Sequence, residues 1–233
     1  MAEALRIAIV GAESTGKTTL ARDLALRLAT DTGRRVAWVP ELLREWCDRF
    51  GRTPQAHEQA PLLRAQHERI DEAAATHDIV VCDTTALMTA VYSRLVFGDR
   101  SLDERAAALH RGMAVTLLTA LDLPWVADGL QRDGPQVREP VDSALRELLL
   151  AHRLPFAVIA GSGAQRVDNA VAAVAPALRK EPSAAAGLFT RLAGGAAPRR
   201  GWACECCSPQ AEQALMQQRR SSSAAAAPSV DGA

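Results

Sequence analysis

The chain has 233 residues, of which 48% are hydrophobic and 23% are charged. This length suits one α/β domain with some additional sequence, and it excludes two full enzyme domains. The 27 basic residues equal the 27 acidic ones, which argues against nucleic-acid binding through bulk positive charge, although a local basic patch stays open.

The chain shows no membrane or secretion signal. Its first apolar run, residues 5–10, is too short for a signal peptide, and no stretch is long enough to span a bilayer. The five cysteines do not form a disulfide framework, since two fall in predicted regular elements and three crowd the tail. We therefore expect a cytoplasmic protein that binds neither membrane nor nucleic acid.

Strands and helices alternate along the chain. Continuous apolar runs predict strands at residues 5–10, 36–39, 78–83, 114–119 and 156–160. Helical patterns fall at residues 18–30, 41–49, 54–77, 85–97, from Pro140 onwards and at 165–178. Runs that are apolar on both faces are typical of a parallel sheet covered by helices on both sides. The prediction is a doubly wound, parallel, five-stranded sheet.

The composition changes near residue 180. Beyond it, alanine, glycine, proline, serine and arginine dominate and periodicity disappears. We predict a folded domain over residues 1–180 and a low-complexity, disordered tail over 181–233. Three thiols in this tail, Cys204, Cys206 and Cys207, could bind a soft metal or be incidental, because a structural zinc site wants four ligands.

Residues 11–18 match the phosphate-loop pattern G-x-x-x-x-G-K-[ST] at every fixed position, between a predicted strand and a predicted helix. The glycines let the backbone wrap around phosphates, and the amide N–H groups form an anion nest at the helix N-terminus. Lys17 would neutralise the β and γ phosphates of ATP, and the Thr18 hydroxyl would bind Mg²⁺. The expected ATP-binding residues are Gly11, Ala12, Glu13, Ser14, Thr15, Gly16, Lys17, Thr18 and Thr19.

Two acidic residues follow neighbouring predicted strands. Asp83 ends the third strand and would face the Mg²⁺ ion, or it would merely cap the next helix. Glu41 follows the second strand, where ligands bind in open α/β sheets, and could accept a proton from a substrate hydroxyl. Arg44 shares its helix face and could hold the substrate. The alternative for Glu41 and Arg44 is a solvated ion pair.

A polar, turn-rich segment at residues 128–139 separates the last two strands. Arg132 and Arg138 in this segment could close over the nucleotide as a helical lid and stabilise the transferring phosphoryl group, or could lie on a charged surface loop. Trp125 could stack on a flat substrate ring or belong to the core. Residues 161–163 fall where a loop contacting adenine would be expected.

Taken in order, the phosphate loop, Glu41 with Arg44, Asp83 and the run from Trp125 to Leu130 resemble the kinase domain of the NadR family. This resemblance covers about residues 5–178 and implies a P-loop NTPase fold that phosphorylates nicotinamide riboside with ATP and Mg²⁺. It implies catalytic roles for Lys17, Glu41, Asp83 and the two lid arginines. Substrate contacts would come from Glu41, Arg44, Trp125 and Asp128.

NadR proteins carry an adenylyltransferase domain before the kinase, whereas here the kinase strand begins at residue 5. We therefore expect neither adenylyl transfer nor direct repression. The first hypothesis is a small-molecule kinase whose partner is a riboside or nucleoside acceptor. The alternatives are a regulatory ATPase that binds a partner through its tail and a kinase for another nucleoside or a nucleotide. The oligomeric state is open.

Overall fold

The computed structural model describes residues 3–126 and 134–179. Five parallel strands form one sheet in the order β2-β3-β1-β4-β5. The strands are β1 (Leu5–Val10), β2 (Val36–Val39), β3 (Ile79–Asp83), β4 (Val115–Thr119) and β5 (Ala157–Ile159). All five strands predicted from the apolar runs are therefore confirmed within a residue or two. The position of β1 between β3 and β4 places the loop that follows it at the centre of the sheet edge.

Seven helices connect and cover these strands within the described residues. They are α1 (Lys17–Thr32), α2 (Leu42–Phe50), α3 (Ala56–Thr76), α4 (Ala86–Phe97), α5 (Asp103–His110), α6 (Arg138–Ala151) and α7 (Gly163–Leu178). None of them is long and apolar enough to cross a bilayer. A short 3₁₀ turn, Pro135–Val137, leads into α6.

Two separate apolar layers hold the helices against the sheet. One layer joins α1 and α7 to one face through Leu20, Leu24 and Leu28, which lie four residues apart along α1. The other face is covered by α3, α4, α5 and α6, with Leu87 and Leu145 fully buried. Both faces of β1 and β3 are thus dry, which explains why these strands are apolar at nearly every position.

The sequence patterns missed one helix and misplaced the start of another. Helix α5 was missed because it is only eight residues long and its fully buried apolar side chains are the two small ones of Ala106 and Ala107. Helix α6 begins at Arg138 and not at Pro140. Proline is tolerated in the first turn of a helix, where its missing N–H has no intrahelical acceptor to lose.

A histidine is buried where α5 meets β4. His110 is 2% exposed, with Nδ1 3.1 Å from the Thr85 hydroxyl and Nε2 2.8 Å from the Thr116 hydroxyl. The Thr85 hydroxyl also accepts a hydrogen bond from the Leu87 N–H and so caps α4. Burial lowers the pKa of His110 to about 4, because the imidazolium ion is poorly solvated there.

This burial predicts an acid-dependent loss of stability. The unfolded chain protonates His110 near pH 6.5, whereas the folded chain resists protonation down to about pH 4. The free energy of unfolding should therefore fall as the pH drops through this window, with His110 contributing up to about 3 kcal/mol. In His110→Gln the slope of unfolding free energy against pH, measured by urea denaturation, should be shallower.

The matched control is His57→Gln, which makes the same change at an exposed histidine on α3. Its slope should equal that of the wild-type chain. An unchanged slope in His110→Gln would contradict the assignment of the acid sensitivity to this buried ring.

Candidate nucleotide-binding site

Three strand ends meet at one edge of the sheet. The phosphate loop follows β1, Asp83 is the last residue of β3, and Glu41 comes two residues after β2. In the parallel register, Ile9 of β1 is paired with Asp83, and Val39 of β2 is paired with Cys82. The sheet therefore brings together side chains that are far apart along the chain, such as those of Ala12 and Asp83, as expected at the carboxyl ends of parallel strands.

The phosphate loop closes on itself through its own side chains. The Lys17 ammonium group donates to the Ala12 carbonyl at 2.9 Å, and the Thr15 hydroxyl donates to the same oxygen at 2.8 Å. Gly16 has a φ of 75° and precedes the first residue of α1, so the loop runs directly into the helix N-terminus. Lys17 is thus held inside the loop, where the N–H groups and the helix dipole favour an anion.

Thr119, at the end of β4, contacts this loop through its hydroxyl group. The sequence analysis did not predict its role. Its hydroxyl donates to the Val10 carbonyl at 3.2 Å and lies 2.7 Å from the Thr15 hydroxyl. A Cβ atom placed on Gly11, whose φ is +150°, would lie 2.1 Å from the Thr119 hydroxyl oxygen. Only glycine fits at position 11, because strand β4 packs directly against the turn.

Asp83 is buried beside the loop. Burial raises the pKa of its carboxyl group, while a hydrogen bond from Thr18 and the nearby charge of Lys17 act in the opposite direction. Its Oδ1 atom has no hydrogen-bond partner among residues 3–126 and 134–179. The helix-capping alternative does not apply, because Thr85 caps α4.

The backbone turns sharply just after Asp83. Thr84 adopts a φ of 71°, which is costly for a β-branched residue, by about 1–3 kcal/mol. Its N–H donates to the Ile9 carbonyl at 3.0 Å, which ties the turn to β1. This strained turn holds the Asp83 carboxylate against the phosphate loop.

These residues fit a magnesium ion bound together with phosphates. A hydroxyl and a carboxylate oxygen are the ligands that Mg²⁺ prefers, and it usually takes only one or two from protein. The Thr18 hydroxyl and the orphan Asp83 oxygen supply such a pair. No cluster of three or more His, Cys, Asp or Glu side chains suited to a metal occurs in the described part of the chain. The three tail cysteines lie outside it.

Glu41 is positioned by a glutamine from a different helix. The Leu42 N–H donates to Gln66 Oε1 at 2.7 Å, and Gln66 Nε2 donates to the Pro40 carbonyl at 3.3 Å. The two backbone groups flanking Glu41 are therefore fixed by one side chain of α3. Gln66 is a polar residue on the apolar face that carries Leu62, Leu63 and Ile70, and that interruption of the pattern could have revealed it.

Glu41 itself occupies the N-cap position of α2 and is only 8% exposed. Arg44 lies one turn further on, with Nε 4.0 Å from Glu41 Oε2. The charge of Arg44 also reaches Asp83, where it opposes the rise in the carboxyl pKa that burial causes. The start of α2 therefore faces the phosphate-loop side, and a fully solvated ion pair does not describe Glu41.

The segment after β4 is attached to the phosphate loop. The Ser14 hydroxyl accepts a hydrogen bond from the Val126 N–H at 2.8 Å and donates to the Val126 carbonyl at 3.2 Å. Trp125, half-buried, precedes this contact directly. Its predicted stacking on a substrate ring stays a prediction.

Arg138 is buried at the start of α6 and is 8% exposed. Its Nη1 donates to the Leu123 carbonyl at 2.9 Å, while Nε and Nη2 have no hydrogen-bond partner in the described ranges. The alternative of a charged surface loop therefore does not apply to this arginine. Asp128 and Arg132 lie outside the described residues, so the predicted lid is described only from residue 134 onwards.

A second arginine, Arg166, was missed by the sequence reasoning. It belongs to α7 and is 4% exposed, and it contacts Asp122, the loop at Gly161 and the phosphate loop at Thr15. It is the one charged residue in the first turn of its helix, and nothing in the local sequence pattern indicates a functional role for it. The contacts of Arg166 form because α7 packs against α1 in the folded domain.

A central strand, a closed phosphate loop, a lysine held in that loop and an adjacent buried aspartate together define an α/β P-loop NTPase. Residues 6–166 match the AAA domain family, and the chain belongs to this family. No curated protein matches the chain.

Two solved structures share the fold. One is the NadR protein in complex with NR, with a TM-score of 0.62, 20% identity and coverage of 74% of this chain. The other is the thymidylate kinase from Ehrlichia chaffeensis, with a TM-score of 0.53, 18% identity and coverage of 76% of this chain and 100% of that one. The match spans 50% of the NadR chain. The expected P-loop fold and the resemblance to the NadR kinase domain are thereby confirmed.

The close approach of Gly11 and Thr119 generates a prediction about nucleotide binding. Gly11→Ala should weaken ATP binding at least about tenfold, because its methyl group would displace the loop from β4. Isothermal titration calorimetry with ATP and Mg²⁺ measures this loss.

The control is Gly33→Ala, another glycine with positive φ, around which no atom lies within 4 Å of the added Cβ. It should cost about 1 kcal/mol of stability through backbone strain alone and leave ATP binding unchanged. Equal ATP affinities of the two variants would show that the contact with Thr119 does not shape the loop.

Proposed function

We propose that this chain is an ATP-dependent small-molecule kinase that transfers the γ-phosphoryl group to a ribosyl hydroxyl, with nicotinamide riboside as the acceptor. The observation that carries the proposal is the placement of Glu41. Glu41 is buried, Gln66 fixes the backbone on both sides of it, and it follows β2 at the same edge of the sheet as the phosphate loop. A carboxylate at this position can take the proton of an acceptor hydroxyl as that hydroxyl attacks the γ-phosphoryl group. The same carboxylate could activate water, so the acceptor panel described below separates the kinase from the ATPase.

The transfer step assigns one role to each group. The acceptor hydroxyl oxygen forms a bond to the γ-phosphorus, and the bond between that phosphorus and the β–γ bridging oxygen breaks. ADP leaves with the electron pair of that bond, and Glu41 takes the proton of the hydroxyl. In-line geometry follows if the acceptor binds between Glu41 and the phosphate loop.

Positive charge is available for the transferring group. Lys17, held in the loop, would reach the β and γ phosphates. The Nε and Nη2 groups of Arg138, which have no partner among the described residues, would donate hydrogen bonds to a phosphate oxygen. Bound Mg²⁺, held by Thr18 and Asp83, would neutralise charge that develops on the phosphates. Arg132 belongs to this proposal as a lid residue.

The acceptor is proposed from the resemblance to the NadR kinase domain. Arg44, Trp125 and Asp128 would then line the acceptor pocket together with Glu41. A cytoplasmic location, where ATP is available, forms part of the same proposal.

An acceptor panel tests the proposal directly. The full chain is incubated with ATP and Mg²⁺ and, in separate reactions, with nicotinamide riboside, other nucleosides and nucleoside monophosphates. Mass spectrometry then detects the gain of one phosphoryl group. Preferred phosphorylation of nicotinamide riboside supports the proposal. Preference for another acceptor would leave a kinase with a different substrate, and steady ATP hydrolysis that no acceptor accelerates would favour the regulatory ATPase.

Glu41→Gln separates transfer from nucleotide binding. The amide cannot accept the proton, so kcat with the preferred acceptor should fall about 100-fold or more while the Kd for ATP is unchanged. Coupled ADP release and calorimetry measure the two quantities.

Glu45→Gln on the same helix is the matched control. Glu45 is exposed and pairs with Arg69 at 2.7 Å, so its kcat should stay within about twofold of wild type. Equal kcat values for the two variants would remove Glu41 from the transfer step.

A further inference from the structure

An ion pair outside the phosphate loop connects two parts of the site. Arg166 Nη1 donates to Asp122 Oδ1 at 2.8 Å, and the Arg166 side chain is almost fully buried while that of Asp122 is 34% exposed. Asp122 follows β4, and Arg166 belongs to the first turn of α7. The pair therefore bridges the two strand ends β4 and β5, on the opposite side of the phosphate loop from Asp83 and Glu41.

The pair holds the loop after β5 by its backbone. The Gly161 N–H donates to Asp122 Oδ2 at 2.5 Å, and Arg166 Nη1 donates to the Gly161 carbonyl at 2.6 Å. Both peptide groups of one glycine, whose φ is +96°, are thus clamped by the same two side chains. The asparagine Asn169 adds a bond to the neighbouring Ala160 carbonyl at 3.0 Å.

The other side of the Arg166 guanidinium group reaches the phosphate loop. Its Nη2 donates to the Thr15 carbonyl at 3.0 Å and lies 3.4 Å from the Ala120 carbonyl. A single planar side chain therefore connects the backbone of residue 15 with that of residue 161. A guanidinium group suits this task because its donors diverge in a rigid fork, which the point charge of lysine cannot reproduce.

Arg166 contacts the backbone of two loops at the sheet edge and not the apolar core. It spans the phosphate loop and the loop at the carboxyl end of β5, which the sequence predicts to contact adenine and which lies at the edge where ligands bind in open α/β sheets. Thr15 is held independently through its hydroxyl by Ala12 and Thr119, whereas both backbone groups of Gly161 depend on the ion pair.

We propose that Asp122 and Arg166 are positioning residues that set the distance between the nucleoside loop at residues 160–163 and the phosphate loop. The inference rests on the nucleotide-binding part of the proposed function. The pair makes the site prefer a whole nucleoside triphosphate to a bare polyphosphate chain. Because the distance between the two loops is fixed before binding, the base and the phosphates bind together without the entropic cost of ordering the loops.

The test compares two ligands of the full chain by calorimetry in Mg²⁺: ATP and inorganic tripolyphosphate, which lacks a nucleoside. In Arg166→Gln the affinity for ATP should fall at least about tenfold, while that for tripolyphosphate falls less than about threefold. The ratio of the two affinities is the readout, and a general loosening of the domain would lower both affinities alike.

Asp122→Asn supplies a second variant at a more exposed position, where the amide oxygen remains available as a hydrogen-bond acceptor. It should lower the same ratio, and the double variant should lose no more than the worse single one, because the two side chains act as a unit. Arg166→Lys should fail to restore the ratio. If Arg166→Lys restored the wild-type affinity ratio, Arg166 would act only as a positive charge beside Asp122, and the inference would be overturned.

Arg27→Gln is the matched control, since Arg27 makes exposed ion pairs with Asp31 and Asp168 away from the loops. Its affinity ratio should equal that of wild type. Unchanged ratios in Arg166→Gln and Asp122→Asn would overturn this inference alone. A wild-type chain that binds no ATP would overturn the proposed function and the inference with it, whereas ATP binding without acceptor phosphorylation would overturn only the kinase.

Discussion

The arrangement of the site depends on the close contact between a bare backbone turn and the strand beside it. Gly11 leaves β1 with its Cα against the Thr119 hydroxyl of β4, where no side chain would fit. The turn can therefore wrap tightly and present its N–H groups to phosphates at the start of α1. Lys17, the first residue of α1, is then held against the Ala12 carbonyl of this turn.

Around this turn, the sheet order assigns different chemistry to the two sides. The carboxylates of Asp83 and Glu41 lie on the side of β3 and β2. They suit the binding of a metal ion and the removal of a proton from the acceptor hydroxyl. Towards β4 and β5 lie Asp122 and Arg166, which hold backbone groups. Phosphoryl transfer needs a nucleotide and an acceptor to meet at the γ-phosphate, so two unlike halves on either side of one loop are well suited to it.

Polar residues inside the fold repeatedly serve to hold a neighbour. Gln66 fixes the backbone on both sides of Glu41, Thr85 caps the helix after the Asp83 turn, and Thr119 supports Thr15. Each satisfies buried backbone or hydroxyl groups that would otherwise cost free energy. These supporting residues give the loop and the two strand ends a defined geometry.

The sequence by itself determined the strands, the phosphate loop, the P-loop class and the candidate roles of Lys17, Asp83 and Glu41. These features are local: apolar runs specify buried strands, and the glycine-rich pattern specifies the turn in a short window. Helix α5 was missed because alanines leave a weak apolar pattern. Gln66, Thr119, Asp122 and Arg166 were decided only by the tertiary structure. Apart from the Gly161 carbonyl, which is 5 residues from Arg166, their partners lie 24 to 151 residues away along the chain. Hydrogen bonds across such separations depend on strand order and helix packing, which a local pattern does not encode.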